Sequence, residues 1–332
     1  MFETGTSTST TGSHEVHRVV VTGGTHGNEY TGVYVINRLK ARPDLLSSYR
    51  SLAVETVLTN ERALSENKRY IDEDLNRLFS MERLAETATT AEAKRAAELN
   101  EQLGPKGSAS ACDLIIDLHT TTGNMGATII VDRWCPLALH AAAFVQAEMA
   151  ADDVHVHIMY YELDKPEAPS LSSIGKAGLR IEVGPTPQGV LRHDVVQSTE
   201  RVLHSLLSFF ERRNAGEHLP LPNTISVFAT AGSNAKIAWP VDDDGFPTAL
   251  VHASRQDRDW VPISVGDPLF ETLGGEVICY QGEFGPTAVP IFVNEGGYYG
   301  KSSGRGIGFA VERVVKLVPY SCPRMQPCEI VT

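Results

Sequence analysis

Four residues near the amino terminus, His26-Gly27-Asn28-Glu29, set an imidazole and a carboxylate three positions apart, just where a β-branched run, HRVVVTGG, gives way to a helical pattern. In a glycine-bordered turn both side chains can face one point, and nitrogen and oxygen donors together suit zinc. On its own the H-x-x-E spacing arises easily by chance, and a helix-entry hydrogen bond from His26 beside a surface Glu29 accounts for it equally well. A second imidazole, His119, follows the apolar run LIID at the carboxyl end of a strand, where ligand sites of open α/β sheets lie. Two histidines and one glutamate make a three-ligand zinc site, one ion per chain, with a position open for water. Asp117, two residues earlier, is placed to orient the imidazole of His26 or of His119.

Hydrolysis at such a site needs a base, and Glu182 is an isolated acid inside LRIEVGP, a run that otherwise reads as a buried strand. A buried carboxylate without a partner is unfavourable. Glu182 therefore either exchanges a proton with metal-bound water and the leaving amine, or pairs with Arg180, which strand alternation puts on the same face. The segment Arg69-Tyr70-Ile71-Asp72-Glu73-Asp74-Leu75-Asn76-Arg77 flanks an acidic loop with two arginines. Arginine can hold a carboxylate in bidentate geometry or stabilise an oxyanion, although composition alone favours a solvated charged surface there. His155-Val156-His157 reads as exposed polar positions on a strand, and Gly23-Gly24 matches no phosphate-binding loop.

The elements that must carry these residues follow from periodicity. The pattern from His17 is strand, tight loop and helix, the helix marked by Val33, Ile36 and Leu39. Further strands are expected at 51–60, 113–122, 128–132 and 179–184, a long charged helix from about Met81 to Leu103, and another over 195–214. Strands alternating with helices predict an α/β domain with a mixed, mostly parallel sheet. From about Leu219 the chain changes to short β-rich runs punctuated by Asp244-Gly245, Gly266-Asp267 and Gly274-Gly275. This predicts a catalytic domain over 16–215 and a smaller β domain over 216–332, preceded by a disordered tail at 1–15 that is rich in Ser, Thr and Gly.

Composition narrows the partners. With 332 residues, 29 Lys and Arg against 41 Asp and Glu, and a net charge of −12, broad attraction to nucleic acid or acidic membranes is disfavoured. An anionic substrate therefore needs a local cationic pocket. The five cysteines, Cys112, Cys135, Cys279, Cys322 and Cys328, form no C-x-x-C pair or disulfide framework, which predicts reduced thiols and a cytoplasmic location. No secretory signal or transmembrane run is expected. A homo-oligomer is compatible with the sequence.

The segments GGTHGNE (23–29), RYIDEDLNR (69–77), DLHTTTGNMG (117–126), IEVGPTPQGVLR (181–192) and FVNEGGYY (292–299), in this order, resemble the aspartoacylase and aminoacylase III family of zinc carboxypeptidase-like amidohydrolases. The resemblance implies a carboxypeptidase-like α/β domain with a carboxyl-terminal β domain partly covering the cleft. It further implies zinc on His26, Glu29 and His119, Glu182 as general base, and Arg69 polarising the scissile carbonyl. Asn76 and Arg77 would grip the α-carboxylate of a small N-acylated amino acid, and Tyr298 would complete the pocket; without the resemblance, Tyr298-Tyr299 reads as a packing pair. Aspartoacylases carry an arginine for the substrate's side-chain carboxylate where this chain has Ser172. That departure implies N-acyl aromatic or otherwise neutral amino acids, including mercapturic acids, as substrates. The alternatives are a true aspartoacylase in which Arg180 or Lys176 replaces the missing arginine, and a non-catalytic zinc-stabilised binding protein.

Overall fold

A computed structural model describes residues 15–231, 235–299, 306–317 and 330. Of the expected tail, 1–14 lie outside the described residues, as do Cys322 and Cys328; Glu15 is exposed and pairs with His17 at 2.9 Å. In chain order the amino-terminal elements are β1 (Arg18–Gly23), α1 (Tyr30–Ala41), β2 (Ala53–Leu58), α2 (Glu61–Ser65), α3 (Met81–Ala85), α4 (Ala91–Leu103), β3 (Leu114–Thr120), β4 (Gly126–Asp132), α5 (Pro136–Ala150), β5 (Val156–Tyr161), β6 (Ala177–Gly184) and α6 (His193–Asn214). The remainder is β: β7 (Thr224–Thr230), β8 (Lys236–Ile237), β9 (Ala249–Val251), β10 (Ile263–Ser264), β11 (Pro268–Thr272), β12 (Val277–Cys279), β13 (Thr287–Ile291) and β14 (Ile307–Lys316).

Among the described residues the main sheet has eleven strands, in the order β2-β1-β3-β6-β4-β5-β7-β14-β13-β10, with β8 also paired to β14. Pairing is parallel from β2 to β6, antiparallel between β6 and β4, parallel through β5 to β7, and antiparallel beyond. A separate three-stranded sheet, β12-β11-β9, lies in the carboxyl-terminal part.

Strands β3 and β6 are buried along their whole length, as near-continuous apolar runs require when a sheet is covered on both faces. Side chains alternate between the faces. On one face Leu114, Ile116 and Leu118 of β3 and Leu179, Ile181 and Val183 of β6 join α1, α5 and α6 in the largest core. On the other, Ile115 packs with Leu75, Phe79 and Leu99, beneath the 69–77 segment and α4. Asp117, His119, Arg180 and Glu182 share this second face by the same alternation, so the chemistry is aimed away from α1, α5 and α6.

The expected helix from Met81 to Leu103 is two helices. Ser80 caps α3 by accepting from Arg83 N at 3.2 Å, and Thr90 caps α4 by accepting from Ala93 N at 3.0 Å. Between them Glu86 is extended and the Asp72 carboxylate takes Ala91 N at 2.7 Å, so the acidic loop itself interrupts the helix. Helix α5 has no counterpart in the sequence reading because it is apolar around its circumference, which gives no amphipathic period to detect.

Candidate active site

His26 and Glu29 leave the end of β1 and enter α1 through a turn pressed against α2; a Cβ on Gly27 would lie 2.2 Å from Ala63 C, so no larger residue fits between them. His119 is the penultimate residue of β3. His26 Nδ1 lies 2.6 Å from Glu29 Oε1, His119 Nδ1 lies 3.0 Å from Glu29 Oε2, and all three side chains are buried. Their ligand atoms fall within 4.8 Å of one another.

The far nitrogens explain the orientation. His119 Nε2 bonds Asp117 Oδ2 at 2.8 Å, and Asp117 Oδ1 accepts from the Thr22 and Thr25 hydroxyls at 2.7 and 2.9 Å. His26 Nε2 bonds Asp74 Oδ1 at 3.2 Å. A carboxylate at each Nε2 favours a proton there and leaves the Nδ1 lone pairs directed at Glu29. Two imidazole lone pairs and a carboxylate crowded into one buried place repel unless a proton or a cation lies between them. Burial opposes ionisation of Glu29, yet the adjoining His26 and His119 hold its carboxyl below the usual range, and Asp117 with Glu29 raises His119 well above the ordinary histidine value despite burial. The donor set fits a divalent cation of borderline character. Of the two imidazoles Asp117 was expected to orient, it takes His119; Asp74, which serves His26, was not singled out as a site residue, although it sits in the acidic loop.

Glu182 stands opposite His119 in the β3–β6 register. Burial pushes its carboxyl up to about 8, and Glu29 adds to the rise. Its pairing with Arg180 does not form: the Arg180 guanidinium donates through Nη2 to Asp132 Oδ1 at 2.8 Å. Arg69 lies 3.4 Å from Glu29, 3.3 Å from Asp74 and 4.0 Å from Glu295, which together outweigh burial and keep it charged. Arg77 donates to Asn76 O at 2.9 Å, and the Asn76 side-chain oxygen accepts from Leu171 N at 2.9 Å.

The segment with these arginines is held from below by Glu92, a fully buried carboxylate in the first turn of α4. Its oxygens accept from Ile71 N at 2.7 Å, Asp72 N at 2.9 Å, Glu73 N at 3.3 Å and Asn60 Nδ2 at 3.2 Å. Glu92→Ala leaves these buried donors without their acceptor and is expected to lower stability by on the order of 3 kcal/mol, read as a lowered denaturant midpoint with unchanged slope.

From the carboxyl-terminal half, Tyr298, Glu295, Lys236 and Phe292 line the same cavity, of about 740 Å³. Burial raises the Tyr298 phenol far above its ordinary value, so it stays protonated and able to donate. Lys236 Nζ lies 3.3 Å over the Tyr298 ring, and burial, with Arg77 and Arg69 nearby, pushes the amine down to about 8. Glu295 accepts from the Thr121 hydroxyl, from Thr122 N at 2.9 Å and from Gly297 N at 2.7 Å. Asp259 similarly bridges Asn124 N at 3.0 Å and Val293 N at 2.9 Å. Lys236, Glu295, Asp259 and Asp132 carry no local sequence signal, because their partners lie far away along the chain.

Ser172 is not part of the cavity wall. It is fully buried, with Oγ 3.2 Å from that of Ser170, which does line the cavity. Lys176 turns to Asp113 at 2.9 Å. His157 stacks on Trp260 with centroids 4.2 Å apart, and burial pushes the ring down to about 3, so the His155–His157 pair is packing. Tyr299 stacks on Trp239 at 4.9 Å. Cys112, Cys135 and Cys279 are free thiols.

Residues 15–210 match the family described as succinylglutamate desuccinylase/aspartoacylase catalytic domain, and residues 227–312 match the AstE/AspA barrel-sandwich hybrid domain. An N-acyl-aromatic-L-amino acid amidohydrolase (carboxylate-forming) of Rattus norvegicus is 37% identical over 93% of this chain and 94% of its own. An aspartoacylase of Danio rerio is 38% identical over 86% and 90%. A crystal structure of murine aminoacylase 3 superposes with a TM-score of 0.83 at 34% identity, covering 95% of this chain and 99% of that one.

Proposed function

The chain belongs to the succinylglutamate desuccinylase/aspartoacylase family, and from that premise we propose that it is a zinc amidohydrolase that deacylates N-acyl amino acids with neutral, above all aromatic, side chains. It is an enzyme of the N-acyl amino acid deacylase type, as its relatives are named. The observation that carries the reading is the convergence of His26 Nδ1, Glu29 and His119 Nδ1 opposite the protonatable Glu182, on one face of β3 and β6.

Zinc held by His26, Glu29 and His119 would supply Lewis acidity, acidifying a water and polarising the acyl carbonyl. Glu182 takes the proton from the attacking water on a carboxylate oxygen and delivers it to the amide nitrogen as the C–N bond breaks. Arg69 donates to the carbonyl oxygen as negative charge develops there, its direction fixed beforehand by Asp74 and Glu295. Asn76 and Arg77 hold the α-carboxylate, and the protonated Tyr298 closes the pocket from the carboxyl-terminal half. The products are a carboxylate, such as acetate, and a free amino acid.

We place a boundary near residue 215, between a catalytic domain (16–215) and a β domain (216–332) that partly covers the cleft. No described helix is long and apolar enough to cross a membrane; we assign the protein to the cytoplasm on its free thiols.

Substrate preference is the test. The position of the family's side-chain carboxylate clamp is Ser172, Lys176 turns away, and Arg180 is occupied by Asp132. At none of these three positions does a substrate side-chain carboxylate find a free cation, and so it forgoes there a charge-assisted hydrogen bond worth roughly 1.5–3 kcal/mol. With about 1.4 kcal/mol per factor of ten, kcat/KM for N-acetyltyrosine is expected to exceed that for N-acetylaspartate by about tenfold or more. A preference for N-acetylaspartate refutes the neutral-substrate assignment.

A further inference from the structure

The ion pair of Arg180 and Asp132 lies in the cavity wall, yet none of the catalytic roles above uses it. Arg180 precedes Glu182 by two residues on β6 and shares its face, which separates the two by about 7 Å along the strand. On antiparallel β4, Ile130 is opposite Arg180 and Asp132 follows on the same face; on β5, Tyr161 is opposite Asp132. The Arg180 guanidinium carbon lies 5.4 Å from the centroid of the Tyr161 ring. The Arg180 side chain keeps 9% exposure, whereas that of Asp132 has 0%. Both line the cavity, and Arg180 is the member of the pair that keeps residual exposure to it, although its Nε is a buried donor without a partner. Asp132 Oδ2 has no hydrogen-bond partner, so the carboxylate depends on Arg180 alone.

We propose that the Arg180–Asp132 pair is the wall that meets the substrate's side chain, and that Asp132 is the residue that makes this wall select neutral side chains. The proposal rests on the amidohydrolase reading and adds to it the specificity determinant. With its charge taken up internally, Arg180 offers an incoming carboxylate no unpaired cation, and that carboxylate also meets the repulsion of Asp132 in a site with little water to screen it. A cationic side chain is turned away by the guanidinium. A flat apolar side chain loses nothing, because a weakly hydrated guanidinium packs favourably against aromatic faces, and that of Arg180 already lies 5.4 Å from the Tyr161 ring centroid.

The two halves of the pair predict opposite changes. Asp132→Asn removes the internal counter-charge and frees the guanidinium; the kcat/KM ratio of N-acetylaspartate to N-acetyltyrosine is expected to rise by on the order of tenfold, the scale of one charge-assisted hydrogen bond. Arg180→Met bares the Asp132 carboxylate and should lower that ratio while raising N-acetyllysine relative to N-acetyltyrosine. The double variant Asp132→Leu with Arg180→Met replaces the buried pair by apolar groups, a change proteins often tolerate well, and should turn over N-acetyltyrosine while showing neither gain. If Asp132→Asn does not fold, the Arg180→Met shift towards N-acetyllysine carries the test. Uniform losses across all three substrates in the folded variants show a purely structural pair and overturn the proposal while leaving the amidohydrolase reading intact. A wild-type protein inactive on every N-acyl amino acid overturns both.

Discussion

Purified protein is expected to hold about one zinc per chain, and dialysis against a strong chelator should bring hydrolysis of N-acetyltyrosine to background, with activity returning on addition of zinc. The effect is expected to be near complete because the cation is asked both to acidify the water and to polarise the carbonyl, and no other group near Glu182 does the first. His119→Ala should reproduce the loss irreversibly: it removes one donor of three and leaves Asp117, already bonded by Thr22 and Thr25, facing a hole. Metal affinity should fall as pH falls, since Nδ1 of His26 and His119 must be free of protons to bind and Asp117 and Glu29 favour the protonated form of His119. Elemental analysis of the protein and a titration of activity against zinc check these outcomes. Full activity in strong chelator would sink the mechanism.

Glu182→Ala should have the second large effect, and a different signature. The side chain is assigned to proton transfer and is not among the donors, so the variant is expected to fold, keep its zinc and lose kcat by roughly 10²–10⁴-fold. The pH profile supplies the second readout. Burial and Glu29 push the Glu182 carboxyl up to about 8, and a bound cation, by favouring the carboxylate, pulls it below that value. As a base it works only when ionised, so kcat/KM should rise with pH along a limb that lies below pH 8. Glu182→Ala should lose that limb. Zinc lost in step with activity would instead make Glu182 a ligand.

The parts of the site written in neighbouring residues were legible in the sequence. His26 and Glu29 share one turn, His119 and Asp117 one strand face, and β1, β3 and β6 announce themselves as apolar runs ending in polar loops. The partners of these residues were less so. Asp74 reaches His26 across 48 positions and Glu295 reaches Thr121 across 174, distances over which periodicity and spacing carry no information. Arg180 shows the limit in a single residue: alternation put it correctly on the face of Glu182, but its choice of Asp132 depends on β4 running antiparallel beside β6, a pairing that strand patterns alone do not specify. Helix α5 was missed for an opposite reason, since 136–145 are buried all round and the exposed positions are confined to the last turn, which leaves no polar stripe to mark it.

The bonds that join the two halves bear on how the enzyme discriminates. The main sheet runs unbroken from β5 into β7, Glu295 is tied to Thr121 and Thr122, two and three residues from His119, and Asp259 ties Asn124 to Val293. Swinging the carboxyl-terminal β half away from the amino-terminal half would break ladder hydrogen bonds and strand two buried carboxylates, which opposes such an opening. The cleft therefore behaves as a mould set when the chain folds. On the proposed reading its choice among substrates falls to the fixed charges and surfaces of the wall, which can be retuned one residue at a time without rebalancing a moving lid.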